Sequence, residues 1–204
     1  MSFLNKVMIK PWEHAGEIDD IHGEFGTVGA AGRTGLFMFL AVVSSLFSLL
    51  IVSYYTRSQF PDWEVLTDPD ILWLNTAVLV MASVVLQLAS NSAKQGVSAN
   101  LQNKLVAAGV LSLLFVAGQL MAWEQMVAEG LYAAENPANA FFYLLTGLHA
   151  LHLLGGLWFM VLLGFRMKTQ AKRDALGQSV ALCTTYWHYL LLVWLVLFAI
   201  LKGT

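Results

Sequence analysis

The chain has 204 residues, 58% of them hydrophobic and 12% charged, with a formal net charge of −2 and one cysteine. A soluble domain of this length carries about twice that charged fraction. The balance excludes nucleic-acid binding, which demands a basic face, and a lone Cys183 excludes an internal disulfide or a thiolate metal cage. Cys183 lies in an apolar run and reads as an inert packed thiol.

The first 33 residues are not a secretory leader, because Lys6, Lys10 and Pro11 interrupt their apolar content and acids from Glu13 to Glu24 follow. They read as a cytoplasmic N-terminal tail (1–33), followed by a five-helix transmembrane domain (34–204). The first span runs over 34–56, between Arg33 and Arg57. The second covers 71–93, between Asp70 and Lys94, and the third 105–124, beginning after Lys104 and reaching Glu124. The fourth, 137–165, opens on Pro137, a good first-turn residue, and stops at Arg166. The fifth, 176–201, fills the interval between Asp174 and Lys202. A hydrocarbon core of about 30 Å needs roughly 20 helical residues, so all five are long enough. Uninterrupted apolar runs without period-two alternation predict helices, not a barrel. The fold class is therefore all-α, a polytopic membrane bundle.

Five spans put the tail on the same side as the second and fourth loops. That side holds Lys6, Lys10, Arg33, Lys94, Lys104, Arg166, Lys168, Lys172 and Arg173; the other holds only Arg57 and Lys202. Positive charge stays on the cytoplasmic side, which predicts the amino terminus inside and the carboxyl terminus outside, as in a bacterial inner membrane with a periplasm. Arg166, Lys168, Lys172 and Arg173 are candidates for contact with anionic lipid headgroups, or plain topology determinants. Trp63, Trp73, Trp123, Tyr54 and Tyr55 fall near predicted interfaces. Gly109, Gly118, Gly147, Gly155 and Gly156 are expected to let helices approach closely.

No Asp, Glu, Lys or Arg lies near mid-depth in any span, which argues against a proton pump, voltage sensor or ion-coupled transporter. The polar residues left to explain are Asn75, Gln87, Asn91, Gln119, His149, His152 and His188. A haem needs axial ligands facing each other from different helices, so His149 and His152 on one helix cannot sandwich it. His149 reads toward the outer part of its span and His188 toward the inner end of its own, which argues against a shared ligand set. The residues alone lead to a membrane subunit without catalytic, metal-binding or cofactor-binding side chains of its own. An independent transporter and a membrane cytochrome pairing His149 or His152 with His188 are the weaker readings.

Phe141-Phe142-Tyr143-Leu144-Leu145-Thr146-Gly147-Leu148-His149-Ala150-Leu151-His152, followed by Gly155, resembles the F-F/Y-x-x-T-G-x-H-G-x-H-x-x-x-G segment of cytochrome c oxidase subunit III. Tyr186-Trp187-His188-Tyr189 with Val193-Trp194-Leu195 resembles that family's Y-W-H-F-x-x-x-V-W-L ending. Leu74-Asn75-Thr76 with Leu79 and Ser83, and Gln119, resemble two further segments. The resemblance implies the short, five-helix form of subunit III of a haem-copper oxidase. Such a subunit packs against catalytic subunit I, holds phospholipid, and supports proton uptake and turnover in aerobic electron transport. Haem and copper belong to the partner subunit. Asn75, Gln119, His149, His152, Trp187, His188 and Trp194 become candidates for lipid or subunit-interface contacts. Where the family carries acids this chain has Val43, Gln95, Ala122 and Leu191, so roles resting on those carboxylates do not carry over. A related accessory protein of a nitric oxide reductase, whose partner holds haem and non-haem iron, is the alternative. On this reading His149→Leu would loosen the bundle or its docking and leave the partner's haem spectrum unchanged.

Overall fold

In a computed structural model, residues 26–64, 69–95, 100–168 and 173–203 are described, with side chains from residue 31 onward. They form five helices in order: α1 (Gly26–Arg57), α2 (Ile71–Lys94), α3 (Leu101–Ala128), α4 (Pro137–Lys168) and α5 (Arg173–Gly203). All five are long and apolar enough to cross a membrane. Each expected span falls within one of these helices, most of which run on past it. Helix α1 begins at Gly26, so residues 26–33 are helical where a tail was expected, and α3 runs past Glu124 to Ala128. A charge marks where a helix leaves hydrocarbon, not where its backbone bonds stop.

The ends have local causes. At α3 the N–H of Gly130 donates to Val127 O at 3.1 Å and that of Leu131 to Met126 O at 2.9 Å. This Schellman closure needs a left-handed residue, and Gly130 has φ of +80°. Asn136 caps α4 by accepting from the Ala138 N–H at 2.9 Å, with Pro137 in the first turn as expected. The Asn136 amide also donates to Glu64 O at 2.9 Å, tying the two outer loops together. Arg57 closes α1 with a two-pronged contact to Asp62, Nη1 to Oδ1 being 2.8 Å. That hydrogen bond is the main reason the Asp62 carboxyl lies below its ordinary range. Its contribution is present above the unfolded carboxylate pKa and lost as pH falls through the lowered value.

Helices α2, α3, α4 and α5 form a ring, each packed on its two neighbours, and α1 lies outside it against α4 and α5 only. Large side chains of α5 fill the ring's centre: Trp187 and Trp194 are fully buried. Of the aromatic residues expected near interfaces, Trp73 and Tyr55 are exposed, whereas Tyr54 is buried and Trp63 and Trp123 are half-buried. Tyr54 turns inward against Trp63 and Phe141, with ring centroids 5.0 and 5.6 Å away. Edge-to-face aromatic packing here joins α1, the outer loop and α4.

Two of the five glycines singled out in the sequence are true close approaches. A Cβ on Gly118 would lie 2.0 Å from Asn75 Oδ1, and one on Gly156 would lie 2.7 Å from both the Trp187 and Tyr186 rings. Gly155 has nothing within 4 Å of the same point. We expect Gly156→Ala to destabilise the bundle by about 1–3 kcal/mol through overpacking against rigid rings. Gly155→Ala should instead be neutral or stabilising by up to about 1 kcal/mol. Denaturation of the purified chain in mixed micelles, titrated with sodium dodecyl sulfate, reads both, and equal effects would contradict this packing.

Candidate functional site

An indole N–H has no solvent partner in hydrocarbon, and three of the chain's tryptophans find hydroxyl acceptors on other helices. Trp187 Nε1 donates to Ser112 Oγ at 3.0 Å, joining α5 to α3 across the ring. Trp194 Nε1 donates to Thr76 Oγ1 at 2.9 Å, joining α5 to α2. Trp123 Nε1 donates to Thr146 Oγ1 at 3.1 Å, joining α3 to α4. Each hydroxyl in turn donates to the carbonyl one turn back: Ser112 to Ala108, Thr76 to Leu72, Thr146 to Phe142. The hydroxyl proton is thus used within its helix and its lone pairs remain for the indole.

His149 is fully buried on α4 between Phe115 of α3 and Trp194 of α5, with centroids 5.8 and 5.2 Å away. Among the described residues neither of its ring nitrogens has a hydrogen-bond partner, and the same holds for both side-chain polar atoms of Gln119 and for Asn75 Nδ2. Asn75 and Gln119 are also buried. These three therefore sit among the chain's own helices, as do Trp187 and Trp194, out of reach of lipid or another subunit.

His152 and His188 reach the surface. His152 Nδ1 donates to Leu148 O at 2.7 Å, and the Tyr186 hydroxyl donates to His152 O at 2.8 Å. His188 is exposed and lies at the middle of α5, not toward the inner end as the sequence reading placed it. The expected span, 176–201, is centred at the same point, so the difference lies in the depth assigned to His188 and not in the bounds of the helix. Trp194, which packs on His149, is six residues from His188, or about 9 Å along the axis. The two histidines thus occupy different levels and contact different neighbours.

A polar line runs from His188 along α2. Gln87 Oε1 accepts from His188 Nε2 at 2.9 Å, so in the neutral ring Nδ1 is the acceptor and Ser83 Oγ donates to it at 2.5 Å. Gln87 Nε2 then donates to Asn91 Oδ1 at 3.0 Å. Near the start of α3, Lys104 Nζ donates to Ser92 Oγ of α2 at 2.6 Å. Among the described residues no group of three or more His, Cys, Asp or Glu side chains is arranged to hold a metal ion.

A cleft of about 490 Å³ opens between α1 and the α4–α5 pair. Leu36 and Phe39 of α1, Leu151 and Gly155 of α4, and Leu182 and Cys183 of α5 line it. Its wall is almost wholly apolar, and the His152 Nδ1 and the Tyr186 hydroxyl beside it are held in the bonds already described. Arg166 is exposed at the inner end of α4. Lys168 and Arg173 stand in helices whose side chains there are outside the described set, and Lys172 lies outside the described residues. Gln95 caps the end of α2.

Residues 4–202 match the sequence profile of the family described as Cytochrome c oxidase subunit III. The chain belongs to that family. A "Probable cytochrome c oxidase subunit 3" of Nocardia farcinica (strain IFM 10152) is 33% identical over 124 residues, 61% of each chain. The "Cytochrome c oxidase subunit 3" of Synechocystis sp. is 24% identical over 96% of this chain and 88% of its own. The "Cytochrome bo(3) ubiquinol oxidase subunit 3" of Pseudomonas aeruginosa is 22% identical over 97% and 94%. The match to the Nocardia relative and its actinobacterial counterparts spans about three-fifths of their length.

The motifs contain Thr76, Ser83, Thr146 and Tyr189 without assigning them a task, and Ser112 lies outside them. The seven-residue spacing of Trp187 and Trp194 was the available signal, since it puts both indoles on one face of α5.

The partnerless ring of His149 reverses the expectation for its replacement. Leu there removes two unsatisfied polar atoms from an aromatic and apolar site, which is near neutral or stabilising. We expect His149→Leu to shift unfolding by no more than about 1 kcal/mol, whereas Trp194→Phe, which loses an interhelical bond, costs about 0.6–1.7 kcal/mol. Unfolding of the two variants in mixed micelles checks the order; a marked loss in His149→Leu would show that the imidazole does have a partner.

Proposed function

We propose that the chain is the non-catalytic subunit III of a haem-copper oxidase, docked in the membrane against catalytic subunit I. The observation carrying this reading is the family match across residues 4–202, which spans all five helices of the bundle. The names of full-length relatives, one a cytochrome c oxidase subunit and one a ubiquinol oxidase subunit, support an oxidase without choosing its electron donor. Haem and copper reside in the partner, and the amino terminus faces the cytoplasm of a bacterial inner membrane. The α1 cleft holds a phospholipid acyl chain: it is apolar, open along a helix seam, and of the size that ligand pockets have.

The carboxylate-dependent part of the family's role is not proposed. Val43 and Ala122, which stand where the family has acids, are packed in the hydrophobic core, and Leu191 packs against it. Support of proton uptake or turnover then rests on holding the partner and its lipids in place, with no proton moved through this chain.

The test is purification of tagged chain in mild detergent, followed by reduced-minus-oxidised spectra, metal analysis and lipid extraction. A high-spin haem with copper in the co-purified subunit is expected, with bound phospholipid. Haem with non-haem iron and no copper would move the chain to a nitric oxide reductase. A colourless lone protein would overturn the proposal.

A further inference from the structure

The outer surface of the bundle is of two kinds. From Val106 to Met121 of α3 and from Leu144 to Phe165 of α4, no exposed residue carries a charge, amide, hydroxyl or imidazole. Leu113, Leu114, Trp158 and Phe165 are each more than half exposed there. That is a surface made for lipid tails. The face centred on α5 differs. Its exposed stripe runs Gln178, Thr185, His188, and only then Leu192 and Leu195. On one side Gln87 and Asn91 of α2 continue the polar line from His188; on the other, Ser44 of α1 meets the Tyr189 hydroxyl at 2.9 Å.

Depth makes this arrangement informative. Ser83 and His188 hydrogen-bond to each other at the midpoints of α2 and α5, where hydrocarbon is thickest. An imidazole exposed at that level loses hydration without a replacement, and polar residues in spans turn toward protein or a watered cavity. The internal bonds use both nitrogens of His188, but Gln87 Oε1, Tyr189 OH and Thr185 Oγ1 keep spare acceptor capacity and each amide a second N–H, in bonds that lie at the exposed surface. Lipid tails can answer none of these groups. A neighbouring transmembrane helix can, through a side-chain amide or hydroxyl.

We infer that the α1–α5–α2 face, centred on His188, Thr185 and Gln87, is where this subunit docks, and that its occupant is a transmembrane helix of the catalytic subunit offering hydrogen-bonding side chains at mid-membrane. The α3–α4 face is left to lipid. This rests on the oxidase reading given above and adds to it which surface meets the partner. A second copy of the chain is the other occupant to be tested.

The experiment uses the whole complex in native membranes. Photoreactive benzoylphenylalanine replaces Thr185 in one variant and Leu113, on the α3 face, in another. Neither position bears a bond between helices in the bundle. After irradiation the haem-bearing subunit is isolated and probed for the tagged chain. The inference expects a covalent adduct with that subunit from position 185 and none from 113. An adduct from 113 alone, or none from either while the haem protein still co-purifies, would overturn the assigned face and leave the oxidase reading intact. An adduct from 185 twice the mass of this chain would assign the face to a second copy and overturn the inference. If unmodified chain brings down no haem protein at all, the underlying reading fails before any cross-link is scored.

Discussion

The bundle depends on a constraint that acts wherever water is absent: a buried N–H is costly unless it finds an acceptor inside the protein. Three indoles meet that constraint on other helices, and together the bonds of Trp187, Trp194 and Trp123 link α2, α5, α3 and α4 into one connected set. Helices in lipid gain no hydrophobic free energy by associating, so directional bonds and close packing decide which helix faces which. Each acceptor hydroxyl is already fixed by its own backbone carbonyl, so the bonds are pre-oriented before the indole arrives. The glycines act at the same seams. Gly156 lets α4 pass over the Trp187 ring, and Gly118 makes room for Asn75.

The number of helices, their approximate ends and their class were legible from charge and apolar run length alone, because those two properties decide what hydrocarbon accepts. The family was legible from the Thr146-to-His152 and Trp187-to-Trp194 segments, and the match over residues 4–202 agrees. What could not be read was which polar residue points where. His149 and His188 look alike in sequence, each within an apolar span beside aromatic residues. One is sealed between Phe115 and Trp194, the other exposed against Ser83 and Gln87. The difference lies in the rotation of α4 and α5 about their axes. Tertiary packing sets that rotation, and α4 in particular is apolar nearly all round, so its pattern shows little preference for one face.

The loss of acids relative to the family also gains a physical meaning. Val43 and Ala122 are not solvent-facing replacements but members of the apolar core. A carboxylate in either place would need a partner among neighbours that are mostly hydrocarbon. The scaffold of the family is retained, while its interior is arranged here for packing more than for charge.

Helix α1 has one further consequence, concerning the order in which the molecule is made. Among the described residues it packs on α4 and α5 and not on α2 or α3, which follow it directly in the chain. At about 5–20 residues per second, the roughly 79 residues separating the end of α1 from the start of α4 take about 4–16 s to emerge. Throughout that interval neither of the helices that α1 packs on has emerged. The α2–α3 hairpin can close at once, so α1 finds its place after the two helices that follow it.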